Sequence, residues 1–151
     1  MRVIQEPHSL SNLERPLVYL SGSELMSKEN EAILKTLQKC KGGSVLLPRT
    51  SNGDPLWRHQ AVFGANLAVF WIPGGSPLQL LELGQHIGRY AVGFGAKRIL
   101  IGANHECRYL DILEESTRAA SQHFDGPWKL FIEKDFDTFL ERIPDYVKAS
   151  K

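Results

Sequence analysis

A three-layer α/β fold, flavodoxin-like or Rossmann-like, is predicted by three features of the sequence. Short apolar runs alternate with amphipathic segments five times. The third run, Asn66 to Pro73 ("NLAVFWIP"), is apolar almost throughout, as suits a strand buried on both faces. Small residues follow the first run (Ser21-Gly22-Ser23) and the third (Gly74-Gly75), where a strand must give way to a helix. Strand and helix in alternation predict a mostly parallel sheet with helices on both faces and right-handed crossovers. For five strands the economical order is 2-1-3-4-5.

The elements follow in turn. Residues 1–15 have no clear period and read as an irregular arm, leaving 16–151 as a single α/β domain. "PLVYLSGS" gives the first strand, Leu17 to Leu20. In "SKENEAILKTLQKC", Ser27 is placed to cap a helix whose apolar face is Ala32, Ile33, Leu34 and Leu37. Gly42-Gly43 ends it, and "SVLLP" is the second strand. The polar loop "RTSNGDP" leads to a short helix around Leu56–Gly64, and the third strand follows. The next helix runs from Pro77 to about Tyr90, with Ser76, Pro77 and Gln79 fitting an N-cap, an N1 proline and a capping-box Gln. Arg98–Ile101 is the fourth strand, "YLDILEESTRAASQ" a helix and "WKLFIE" the fifth strand. "DFDTFLERIPDYVKA" is a last helix, interrupted or ended near Pro144.

Composition excludes several classes. The formal charge is +1 over 151 residues, with no run of one sign, so neither nucleic acid nor an anionic membrane is the expected partner. No apolar run spans a bilayer and no signal peptide is visible, so a cytoplasmic protein is expected. Cys40 and Cys107 do not make a disulfide framework, and the five His are too scattered for a zinc site.

In an open parallel sheet, ligands bind beyond the carboxyl ends of the strands, where the strand order reverses. That places Ser21-Gly22-Ser23-Glu24, Pro73-Gly74-Gly75-Ser76 and the loop 49–54 at one rim. Each has a plain structural reading as a turn or a cap beside its reading as a ligand contact. In the helix after Gly75, Leu80, Leu83, Ile87 and Tyr90 form an apolar stripe flanked by Leu81. Glu82, Gln85, His86 and Arg89 form the opposite face, which periodicity reads as solvated, with a Glu82–His86 pair at i,i+4. Gly84 and Gly88 inside that helix suggest close packing or clearance for a neighbour.

The chain resembles the nucleoside 2-deoxyribosyltransferase superfamily, which includes the 2′-deoxynucleoside 5′-monophosphate N-glycosidases. The shared features are "YLSGS" (Tyr19–Ser23), an Ala65-Asn66 step before a strand ending "WIP" at Pro73, "ELG" (Glu82-Leu83-Gly84) and a "KRIL" strand from Lys97. They span roughly residues 17–102. The resemblance implies cleavage or exchange of an N-glycosidic bond, in a (deoxy)nucleoside or its 5′-monophosphate. Glu82 takes the role of a nucleophile at the anomeric carbon, which a carboxylate can fill by forming a covalent ester. Tyr19 orients it; packed in the core is the other reading of Tyr19. Gly22, Ser23 and Ser76 match positions that hold the 5′-phosphate in the monophosphate branch, and Gly75 lies in the same loop. Asp54 is the nearest candidate for the acid that protonates the leaving base, or else an ordinary turn residue. Trp57 and Arg58 can stack on or bind a base, and Trp57 fits a core position equally.

Two departures from the family pattern stand out. Asn66 replaces the usual Asp, and no acid lies between Phe70 and Glu82. The resemblance implies no metal or organic cofactor, and it implies a homodimer or larger homo-oligomer. The rival is a degenerate, non-catalytic module of the same fold that binds or senses a nucleotide.

Overall fold

A computed structural model of the chain describes residues 1–22, 27–48, 53–74, 76–91, 98–122 and 129–151. Among these, six strands form one all-parallel sheet: β1 (Arg2–Gln5), β2 (Leu17–Leu20), β3 (Ser44–Leu47), β4 (Leu67–Trp71), β5 (Arg98–Gly102) and β6 (Ile132–Glu133). The helices are α1 (Lys28–Lys39), α2 (Pro55–Gly64), α3 (Pro77–Ala91), α4 (Leu110–Gln122) and α5 (Phe136–Ala149). The strand order is β1-β3-β2-β4-β5-β6. With β1 set aside, the other five strands have the expected flavodoxin-like order.

Strand alternation divides the core. Val18 and Leu20 of β2 point to one face of the sheet, where they meet Ile33 and Leu37 of α1 and Phe139, Ile143 and Tyr146 of α5. Leu17 and Tyr19 point to the other face and pack with Trp57, Ala61 and Val62 of α2. Farther along that face, Phe70 and Ile72 meet Leu83 and Tyr90 of α3 and Leu113 of α4. β2 runs through α1 to β3 on one side, and β3 then crosses through α2 to β4 on the other. The order therefore reverses beside β2.

Three elements differ from expectation. β1 comes from residues read as irregular. It holds two apolar residues in four, too short a pattern to signal a strand, but its register on β3 pairs Arg2 with Ser44 through Gln5 with Leu47. The fifth expected strand shrinks to Ile132–Glu133. Just before it, the Ser121 hydroxyl takes both backbone groups of Leu130: Leu130 N–H donates to Oγ (2.9 Å) and Oγ donates to Leu130 O (3.1 Å). α5 does not stop at Pro144 but continues to Ala149. A proline inside a helix costs about 3 kcal/mol. Here Pro144 faces solvent, while Phe139, Ile143, Tyr146 and Val147 bury the helix on both sides of it and offset that cost.

Gly84 and Gly88 suggest close packing or clearance for a neighbour, and close packing is not what the structure shows. Among the described residues, a Cβ at either would meet nothing within 4 Å. Gly102 is the opposite case, since a Cβ there would lie 2.3 Å from the Trp71 ring and 2.6 Å from Phe139. Opposite effects on stability are therefore expected in urea denaturation. Gly102→Ala should lose about 1–3 kcal/mol by overpacking. Gly84→Ala should gain about 0.5–1 kcal/mol from reduced chain entropy. Changes of the same sign at the two positions would contradict the packing described.

Candidate functional site

The period of two along β2 carries Tyr19 and Ser21 to the same face of the sheet. Tyr19 is fully buried within the strand, and Ser21 lies one residue past its end, its N–H still bonded to Val69 O at 3.1 Å. Their hydroxyls converge on a single carboxylate. Tyr19 OH donates to Glu82 Oε1 at 2.8 Å, and Ser21 Oγ donates to Oε2 at 2.6 Å. A third donor comes from α2, where Arg58 Nη1 lies 3.4 Å from Glu82 Oε1. Strand, strand end and neighbouring helix thus supply donors to one acceptor. Glu82 is only 7% exposed. An ionised carboxylate accepts and does not donate, so two hydroxyls and a guanidinium suit it well in the absence of water.

Glu82 is therefore not on a solvated face. α3 lies over β4 and β5 with a buried sector wider than its apolar stripe. Gln79, Glu82 and His86 share one line along the helix, at i, i+3 and i+7, and all three are buried. His86 is 1% exposed, with its ring 5.8 Å from that of Tyr19 on β2 and edge-on to Phe70 on β4 at 5.4 Å. Among the described residues neither ring nitrogen has a hydrogen-bond partner, so the expected Glu82–His86 pair is not formed. Burial, with Arg89 adding a like charge, lowers the imidazole from its ordinary 6.5 to about 3. It is neutral at physiological pH. Of the four residues assigned to the polar face, Gln85 is exposed, and Arg89 lays its guanidinium 3.3 Å from the centroid of the Phe63 ring on α2.

The remaining candidates divide. Arg58 joins the Glu82 cluster. Gly22 is needed for the fold around it: its φ is +75°, and a Cβ would come within 2.0 Å of Gln79 Nε2. That clearance leaves room for Gln79 Nε2, which donates to Trp71 O at 3.2 Å. Ser76 begins α3, its carbonyl accepting from Leu80 N at 3.0 Å. Asp54 is exposed and caps α2, accepting from Leu56 N at 2.9 Å. Its carboxylate is engaged there and not with Glu82. Trp57 is a core residue, 5% exposed, whose Nε1 donates to His8 O at 2.7 Å. Asn66 sits at the far end of the sheet, where Oδ1 accepts from Leu17 N (2.9 Å) and Arg15 (3.1 Å) and ties the starts of β2 and β4. Ser23 and Gly75 lie outside the described residues.

Sequence reasoning placed Ser21 at the ligand-binding rim but not on Glu82, and it missed His86 as a site residue. The signal for Ser21 was its spacing of two from Tyr19. The signal for His86 was the line Gln79–Glu82–His86, which a single apolar stripe obscured.

Comparison of the chain with protein-family models, with curated proteins and with solved structures finds no match. Among the described residues, no group of three or more His, Cys, Asp and Glu side chains could hold a metal ion. Nor is any helix among them long and apolar enough to cross a membrane.

The buried imidazole has a consequence for stability. The folded His86 titrates near 3 and the unfolded one near 6.5. Between those values the unfolded state holds the extra proton, so His86 lowers stability as pH falls through this window and has no such effect above it. Its contribution to the slope approaches about 1.4 kcal/mol per pH unit. His86→Phe should flatten the stability profile between about pH 6.5 and 3 relative to wild type, measured by urea denaturation at several pH values. Parallel profiles for the two proteins would show that His86 is not buried neutral.

Proposed function

We propose that the chain cleaves or exchanges the N-glycosidic bond of a (deoxy)nucleoside or its 5′-monophosphate, with Glu82 as nucleophile. The observation that carries this reading is the hydrogen bond from Tyr19 to Glu82 at 2.8 Å, at the carboxyl edge of the sheet where the strand order reverses. The resemblance assigns orienting Tyr and attacking Glu to these two positions. They are 63 residues apart in sequence.

The chemistry follows from the donors. With Oε1 held by Tyr19 and Oε2 by Ser21, the carboxylate plane is fixed before a sugar arrives, which removes an orientational cost from the attack. As the bond from C1′ to the base nitrogen breaks, its electron pair leaves with the base, which takes up a proton from solvent, and a Glu82 oxygen bonds to C1′. The product is a glycosyl ester. Water or the nitrogen of a second base then attacks C1′ from the other side and gives up its proton to solvent, and the C1′–O bond electrons return to Glu82. Arg58 stabilises the carboxylate at both ends of the cycle, when it is anionic.

The rival reading, a nucleotide-binding module without turnover, is favoured by one observation. Asp54, the candidate acid for the leaving base, uses its carboxylate to cap α2.

Free-base release from a panel of nucleosides and 5′-monophosphates, followed by chromatography, tests the proposal. Glu82→Gln should lower release by about 10³-fold or more. Tyr19→Phe should lower it about 10–100-fold while the protein stays folded, because the carboxylate loses one of the bonds that orient it. Unchanged release from Glu82→Gln would overturn the proposal, and tight binding of a nucleotide with no release from wild type would favour the module.

A further inference from the structure

The start of α2 is gripped by residues from the far edge of the sheet. Glu6 directly follows β1 and is 2% exposed. Its own N–H donates to Leu47 O at 3.2 Å, and its carboxylate accepts from the backbone N–H of Asp54, the N-cap of α2. A negative charge at that position satisfies a donor that the helix cannot, and it faces the positive end of the helix dipole. Gly53 makes the approach possible, since a Cβ there would lie 2.6 Å from Glu6 Oε2. Two residues past Glu6, the chain folds back: His8 N–H donates to Gln5 O at 3.0 Å, and His8 Nδ1 lies 2.7 Å from the same oxygen. That turn presents the His8 carbonyl to Trp57 Nε1 at 2.7 Å. α2 is thus held at Asp54 and at Trp57, on consecutive turns, by one short segment.

We infer that this N-terminal arm is a clamp that positions Arg58 against Glu82, with Glu6 and the His8 carbonyl as its two grips. Arg58 is one helical turn beyond Asp54, its N–H bonded to Asp54 O at 3.1 Å, and is the neighbour of Trp57. α2 has ten residues, too short to hold its own geometry without tertiary contacts. A rotation of only 20° about its axis would carry a side-chain tip through roughly 2 Å, given a helix radius with side chains of roughly 5–6 Å. The Arg58–Glu82 separation is 3.4 Å, so such a rotation would break the pair. Glu6 and His8 are positioning residues: neither touches Glu82, and each acts through the helix that carries Arg58. The inference concerns the Arg58–Glu82 pair itself and stands whether or not the proposed reaction takes place.

Carbodiimide labelling of Glu82 with an amine nucleophile, read by peptide mass spectrometry, tests the clamp without any assay of turnover. Glu6→Ala is expected to raise Glu82 labelling several-fold, because Arg58 no longer covers the carboxylate. Glu6→Gln keeps an acceptor for Asp54 N–H and should stay near wild type. In an Arg58→Met background, Glu6→Ala should add no further labelling. General loosening of the fold would instead raise labelling by the same factor with and without Arg58, and that result would overturn the inference. So would unchanged labelling in folded Glu6→Ala. Should Glu6→Ala not fold, Trp57→Phe removes only the N–H given to His8 and keeps most of the bulk. It should raise Glu82 labelling at least twofold, and no change would again overturn the clamp.

Discussion

A carboxylate can be held inside a fold only where other donors replace water. In this chain the Glu82 carboxylate is 7% exposed and receives the hydroxyls of Tyr19 and Ser21 and the guanidinium of Arg58. Those donors come from a central strand, its end and the adjacent helix. Their convergence requires α2, over β2, and α3, over β4 and β5, to lie side by side on one face of the sheet, and the parallel topology provides this arrangement. Removing a donor from a buried charge costs more than the bond itself is worth, because desolvation is then left uncompensated. The helix seam is therefore constrained by the site as much as the site is by the helices.

A second constraint lies on the same line of α3. His86 is buried against the rings of Tyr19 and Phe70, with neither ring nitrogen partnered among the described residues. A native protein rarely leaves a buried polar group unsatisfied. The imidazole lies beside the Tyr19 ring, 5.8 Å from it, on the same line of α3 as Glu82. The arm works from the opposite direction, seating the first turn of α2 so that Arg58 completes the set of donors. The site is thus braced from the sheet, from its own helix and from the neighbouring helix.

Much of this architecture was legible in the sequence, because its signals are local and strong. The apolar run Leu67–Trp71 has no polar position to expose, so it had to be an interior strand. Ser27 and Pro77 marked helix starts through cap chemistry alone. What could not be read depended on contacts distant in sequence. Arg2–Gln5 carries a strand pattern too short to detect, and its pairing with β3 makes it one. Pro144 reads as a break, and only the packing of Phe139, Ile143 and Tyr146 against the sheet carries α5 through it. Glu82 illustrates the limit best. Periodicity assigned it to water, since a polar residue opposite an apolar stripe is usually exposed. A helix covering two strands has two buried flanks, and a polar flank is indistinguishable from a solvated one until its donors are found. The resemblance pointed to Glu82 and Tyr19 and the topology to Ser21 at the rim, but the bond from Ser21 to Glu82 and the burial of His86 emerged only from the geometry.

The central claim is that Glu82 becomes covalently bonded to a sugar. Rapid acid quench of wild-type protein during incubation with deoxynucleosides and their 5′-monophosphates, followed by mass spectrometry of the Glu82 peptide, tests it most directly. A deoxyribosyl or deoxyribosyl-phosphate ester on Glu82, absent from Glu82→Gln, is the predicted result. Base release with no adduct on that peptide, or an adduct on a different residue, would contradict it.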